Sequence, residues 1–106
     1  MMWIMEETLR QHLATCAAAF EAATGLVPSV ASRRAVQDSR YLERVIGGTG
    51  FTVATYDRLM AYFSAHWPED LDWPHECGPR PDRGEWARIE AERHAKRSAS
   101  SQPEAA

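Results

Sequence analysis

The sequence of 106 residues lacks an apolar run long enough to cross a membrane as a helix. Its first five residues are apolar, but Glu6 and Glu7 follow at once. A secretory signal peptide would begin with basic residues and continue through a longer apolar run. We therefore expect a cytoplasmic protein without a membrane partner. Its 44% of hydrophobic and 25% of charged residues are typical of one ordinary globular domain.

Cysteine is scarce, with only Cys16 and Cys77 in the chain. Disulfides are rare in the reducing cytosol, so we do not expect the two to be linked. Cys77 lies two residues from His75, but no second pair of cysteine or histidine follows at the spacing of a zinc site. The sequence therefore predicts neither a metal site nor another cofactor, and Cys16 is interpreted as a small core residue.

Patterns that carry enzymatic chemistry are also missing. No Ser-His-Asp, Cys-His or paired-carboxylate arrangement falls on the predicted elements. The segment Gly-Gly-Thr-Gly at 47–50 lacks the lysine and the preceding strand of a phosphate-binding loop. The acidic residues Glu69, Asp70 and Asp72 have no histidine beside them and are interpreted as solubilising. We therefore do not expect an enzyme.

Apolar residues recur at helical spacing in the first half of the chain. The spacing predicts a first helix over Glu6–Thr24, which Gly25 ends. A second, short helix is predicted over Pro28–Val36, with proline in its first turn and Ser29 as a possible cap. A third is predicted over Ser39–Ile46, with Asp38 as its N-cap and glycines behind it. Val27 and Ile46 are among the residues predicted to face inward.

The second half begins with a predicted helix over Val53–Trp67, capped by Thr52 and with Val53 on its inward face. Four prolines then predict an extended strap over 68–83, pinned to the helical domain by Trp67, Leu71 and Trp73. A further helix is possible over 84–98, and 99–106 is expected to be a disordered tail. The predicted fold is all-α: a helical domain over 1–67 of four to five helices with a central helix-turn-helix, followed by the strap and the possible C-terminal helix.

The second and third predicted helices have polar outer faces, which is what a helix-turn-helix needs to contact DNA. We interpret Pro28–Val36 as the positioning helix and Ser39–Ile46 as the recognition helix that enters the major groove. Arginine can bind the guanine edge with two hydrogen bonds, glutamate can accept from cytosine, and hydroxyl groups beside a helix start can hold a phosphate. The predicted DNA-binding residues, which are those expected on the outer faces and at the helix ends, are Ser29, Ser32, Arg33, Arg34, Gln37, Ser39, Arg40, Glu43, Arg44, Thr49 and Thr52.

The net charge of −3 is distributed unevenly. Between Leu26 and Tyr62 there are five arginines and three acidic residues, so the acidic excess lies outside the predicted DNA-binding segment. Such a weak positive charge implies that binding would depend on base contacts and dimerisation as well as on phosphate attraction. A simpler interpretation is that Arg40 and Arg44 form a solvated face and pair with neighbouring acids.

The segment TGLVPSVASRRAVQDSRYLERVIGGTGFTVATYDRLMAYF resembles the lambda-repressor-like (Cro/C1-type) helix-turn-helix family, and more narrowly small bacterial and prophage regulators. The resemblance covers about residues 8–67. It is carried by Gly25, Ser29, Arg33, Ala35, Asp38, Tyr41, Leu42, Arg44, Gly47, Thr52 and Thr55. It implies transcriptional regulation, usually by a homodimer on a palindromic site in double-stranded DNA.

A second hypothesis assigns a different function to the same predicted helix-turn-helix fold. The C-terminal third is acidic and contains Trp67, Trp73 and Trp86, and tryptophans are common anchors at protein interfaces. The chain would then be a protein-interaction module, such as an adaptor, an antitoxin-like protein or an inhibitor, with a protein partner bound through its C-terminal third.

Overall fold

The structure, a computed structural model, describes the backbone of residues 2–101 and the side chains of residues 6–96. These residues form an all-α fold without a strand, which confirms the predicted fold class. The elements, in chain order, are α1 (Met2–Thr24), α2 (Pro28–Val36), α3 (Tyr41–Ile46), α4 (Val53–His66), a single 3-10 turn (His75–Cys77) and α5 (Glu85–Ser101).

The predicted helices are all present, but some of their ends differ. α1 begins at Met2, before the predicted start. Ser39 and Arg40 form a turn, so α3 has six residues and is shorter than predicted. The prediction of a disordered tail from residue 99 is wrong for 99–101, which continue α5. Residues 102–106 of that predicted tail lie outside the described residues.

Capping chemistry explains several of these ends. Gly25, with φ +79°, ends α1 in the left-handed conformation that glycine tolerates, as predicted. Thr52 caps α4, because its hydroxyl accepts the N–H of Thr55 at 3.1 Å, also as predicted. The expected cap of α3 is wrong. Asp38 Oδ1 accepts the N–H of Arg40 at 3.0 Å in the turn before the helix, and Arg40 occupies the N-cap position.

The predicted cap of α2 is wrong as well. Val27 occupies the N-cap position without a side-chain hydrogen bond, and Ser29 lies exposed inside the first turn. Pro28 is in that first turn, where its missing N–H has no cost. Three residues predicted to face inward are instead exposed, with fractions of 42% for Val27, 38% for Ile46 and 65% for Val53. Each lies at the end of a helix, where the apolar stripe extends past the core.

The core is centred on Phe20 of α1 and the aromatic residues of α4. The Phe20 ring lies 5.4 Å from that of Phe63 and 6.0 Å from that of Tyr62, both edge-to-face. α3 contributes the buried side chains of Leu42 and Val45 to the same cluster. The small helices α2 and α3 are therefore held on one continuous apolar core.

The proline-rich strap packs on this core, as predicted. The rings of Trp67 and Trp73 lie 4.8 Å apart, and Trp73 Nε1 donates to the carbonyl of Gly78 at 2.8 Å. Cys77 is fully buried in the core cluster, whereas Leu71 is exposed at 36% and does not pin the strap. The strap thus completes the core of the helical domain.

Within the described part of the chain, no single helix is both long and apolar enough to cross a membrane. α1 from Glu6 and α2 satisfy that condition only as a pair, and the pair is bent by 113° at its joint.

Candidate nucleic-acid interface

The joint between α2 and α3 is built around Ser32. Its hydroxyl donates to the carbonyl of Asp38 at 2.5 Å and accepts the N–H of Leu42 at 3.0 Å, and the residue is 0% exposed. The predicted exposure of Ser32 is therefore wrong, which removes this side chain from the candidate DNA contacts. Its spacing of three from the inward-facing Ala35 is the sequence feature that indicates burial.

Gln37 closes α2 without a glycine. It adopts the left-handed conformation, with φ +59°, and its N–H donates to the carbonyl of Arg33 at 2.8 Å. Its side chain is exposed and folds back onto the helix end, where Nε2 donates to the carbonyl of Arg34 at 3.3 Å. A non-glycine residue in this conformation is uncommon, and the joint therefore has a defined shape.

Exposed arginines surround this joint. The guanidinium groups of Arg33, Arg34 and Arg40 are exposed and have no hydrogen-bond or ion-pair partner among the described residues. Arg44 differs, because its Nη2 lies 2.6 Å from Asp38 Oδ2. The ion pair expected in the simpler interpretation is thus present for Arg44, whereas the Arg40 guanidinium is exposed and interacts with the Asp38 carboxylate only through Coulombic attraction.

The ion pair with Arg44 lowers the pKa of Asp38. The hydrogen bond from Arg44, followed by that from the Arg40 backbone, holds the pKa of Asp38 below its usual value. Because the pKa of Asp38 is lower in the folded than in the unfolded protein, its ionisation stabilises the fold at pH values above the usual carboxyl pKa. This stabilisation is lost as the pH falls through the pKa of the folded state. At neutral pH the carboxylate is charged and holds Arg44 against the turn. Arg33, Arg34 and Arg40 are then the described arginines beside this joint that have no ion pair.

A shallow groove of about 350 Å³ lies between the start of α2 and the end of α3. Its lining is mainly apolar and includes Val27, Pro28 and Ile46. Ser29 and Glu43 add a hydroxyl and a carboxylate to the same groove. The groove therefore offers hydrogen-bonding groups beside exposed apolar surface.

Thr49 and Thr52 are exposed but already make internal hydrogen bonds. The N–H of Thr49 donates to the Arg44 carbonyl at 2.9 Å, and the hydroxyl of Thr52 is used in the cap of α4. The Oγ atoms of Thr52 and Thr55 are also 2.8 Å apart. A phosphate at this helix start would have to compete with these bonds.

Sequence reasoning missed Arg10, which fixes the loop after α3. This α1 side chain is only 8% exposed, and its guanidinium donates to the carbonyls of Val45, Gly48 and Thr49 at 2.7 to 3.2 Å. It also forms ion pairs with Glu6 and Glu7 and lies 5.7 Å from the centre of the Phe51 ring. The sequence feature available was its position one turn before Leu13, on the buried face of α1.

No protein-family model, curated protein or solved structure matches this chain. The resemblance to the Cro/C1-type family therefore stays a prediction. Among the described residues, no three His, Cys, Asp or Glu side chains are grouped so that they could hold a metal ion.

Proposed function

We propose that the protein is a sequence-specific DNA-binding regulator that contacts double-stranded DNA through α2 and α3. The observation that carries the proposal is the set of three exposed guanidinium groups without partners, those of Arg33, Arg34 and Arg40. Unpaired guanidinium groups can bind phosphates and guanine edges without first breaking an ion pair. The buried hydroxyl of Ser32 supports the proposal because it fixes the two helices relative to one another.

The sequence pattern favours α3 as the recognition helix, but within this proposal we assign that role to α2 instead. Helix-turn-helix pairs cross at about 90–120° and are joined by three or four residues that often include glycine. The bend between α1 and α2 is 113°, and their joint is the three residues 25–27, beginning with Gly25. α2 has nine residues, whereas α3 has six and its Arg44 is bound to Asp38. We therefore propose that α3 lies beside the recognition helix and does not itself read the bases.

The outer face of α2 has the chemistry that base recognition needs. Ser29 and Arg33 are four residues apart on α2 and both exposed, so they share one face. Their hydroxyl and guanidinium groups can bond to base edges in the major groove. The apolar groove beside Ser29 offers a place for a thymine methyl group, and Glu43 in the same groove can accept from an exocyclic amine.

The experiment is a selection of the full chain against duplexes with a randomised core of about 20 base pairs, which is long enough for two half-sites one helical turn apart. We expect enrichment of one sequence, and affinity for it that falls as the salt concentration rises. A palindromic product supports the proposed homodimer. Equal recovery of all sequences, or no recovery at low salt, contradicts the proposal.

The protein-interaction hypothesis has less support. Trp67 is only 2% exposed, and Trp73 and Trp86 are half-buried against the core. Interface anchors would have to be accessible to a partner. The three tryptophans instead hold the strap and α5 on the core.

A further inference from the structure

The only two cysteines in the sequence meet in the structure. Cys16 lies on α1 and Cys77 in the 3-10 turn of the strap, and both are 0% exposed within the same core cluster. Both thiols are free, and α1 packs directly against the 3-10 turn that carries Cys77. Two thiols that are 61 positions apart in the chain thus lie in one core cluster.

The strap approaches α1 closely at this point. Gly78 follows Cys77 with φ +79°, and a Cβ atom on it would lie 2.5 Å from Cε1 of His12. His12 is one turn before Cys16 on α1, and its Nδ1 lies 2.9 Å from the Tyr56 hydroxyl. The glycine therefore lets the strap backbone rest on the His12 ring, which brings Cys77 to Cys16.

We propose that Cys16 and Cys77 are a modification site, at which a two-electron oxidant of the diazene or organic disulfide class joins them in an intramolecular disulfide. The bond would tie the strap covalently to α1. This inference is independent of the DNA-binding proposal, because neither cysteine lies on α2 or α3.

The buried state also controls when the reaction occurs. Burial raises the pKa of both thiols. Cys77 lies on the strap, so opening of the strap brings its sulfur into contact with the oxidant. Thiolates, not thiols, attack an oxidant, so the closed protein protects the pair and opening of the strap exposes it.

With diamide as the oxidant, the Cys77 thiolate adds to one nitrogen of the N=N bond, and the other nitrogen takes up a proton. The Cys16 thiolate then attacks the Cys77 sulfur, the S–N bond breaks, and the first nitrogen leaves with the electron pair and a second proton. The products are one disulfide and one hydrazine, which carries the two hydrogen atoms of the thiols.

The test treats the full chain with diamide, with and without a subdenaturing concentration of urea that favours strap opening. Intact mass and peptide mapping under non-reducing conditions then identify the product. We expect a monomer that is lighter by two hydrogen atoms, with the Cys16 and Cys77 peptides linked, and reversal by dithiothreitol. The crosslink closes a long loop, so the oxidised protein should unfold at a higher temperature than the reduced one.

Cys16→Ala and Cys77→Ala are the matched controls, and each should leave one free thiol and form no internal crosslink. If either variant fails to fold, the intact mass and peptide map of the unsubstituted protein still test the proposal. Two alkylatable thiols after treatment in both conditions, or a disulfide-linked dimer as the only product, would overturn the proposal.

Discussion

Replacing Arg10 by methionine should destabilise the protein by roughly 3 kcal/mol, because one buried and two partly buried carbonyls lose a charged donor. Methionine keeps an unbranched apolar stem but cannot donate to the carbonyls of Val45, Gly48 and Thr49, which Arg10 satisfies at 2.7 to 3.2 Å. The acids that pair with Arg10 contribute less, since the side chains of Glu6 and Glu7 are 45% and 58% exposed and solvent screens them. Urea-induced unfolding followed by circular dichroism measures the change.

Two further variants separate these contributions. Glu7→Gln removes one exposed ion pair and should cost less than ~1 kcal/mol. Arg10→Lys keeps the charge but not the planar fork that reaches several carbonyls, so most of the loss should persist. If Arg10→Met unfolds within ~0.5 kcal/mol of the unchanged protein, as surface substitutions do, then Arg10 does not hold the loop after α3.

Trp67→Ala should lower the free energy of unfolding by about 3–5 kcal/mol, which is typical of a large aromatic residue removed from a core. The Trp67 ring joins two parts of the molecule, as it lies 6.1 Å from Phe20 of α1 and 4.8 Å from Trp73 of the strap. Its Nε1 also donates to the carbonyl of Asp72 at 3.3 Å. Thermal and urea-induced unfolding both measure the loss.

Leu71→Ala, in the strap itself, is the control. Leu71 is an exposed apolar residue, so its truncation should change stability by no more than ~0.5 kcal/mol. Equal unfolding midpoints for Trp67→Ala and Leu71→Ala would contradict the account in which the strap completes the core through Trp67.

The helices were predictable because their determinants are local. Periodic apolar residues indicated α1 and α4, and Gly25 and Thr52 marked the ends that the structure has. α5 has few apolar residues, but Trp86 attaches it to the core. The Trp86 ring lies 5.3 Å from the ring of Tyr62. The packing of the strap followed from the need to bury Trp67 and Trp73.

The remaining features depend on contacts between distant segments, which one sequence does not reveal. Ser32 resembles an exposed polar residue until the Asp38 carbonyl and the Leu42 N–H are known to meet at its hydroxyl. Arg10 bonds to carbonyls that lie 35 to 39 positions further along the chain. The Cys16–Cys77 contact likewise requires the path of the strap. For the candidate DNA-binding surface, residue types were predictable from the sequence, but which arginines are unpaired was not.

The most direct test of the central claim compares Arg33→Ala with Arg88→Ala on the duplex enriched by selection. Both variants remove one exposed arginine, but Arg33 lies on α2, whereas Arg88 lies on α5 and pairs with Glu85 and Glu92. Fluorescence anisotropy should show a loss of ~1–3 kcal/mol of binding free energy for Arg33→Ala, with reduced preference over a shuffled duplex. Arg88→Ala should bind almost as tightly as the unchanged protein. Equal affinities for the two variants, or an unchanged preference in Arg33→Ala, would contradict DNA recognition through α2.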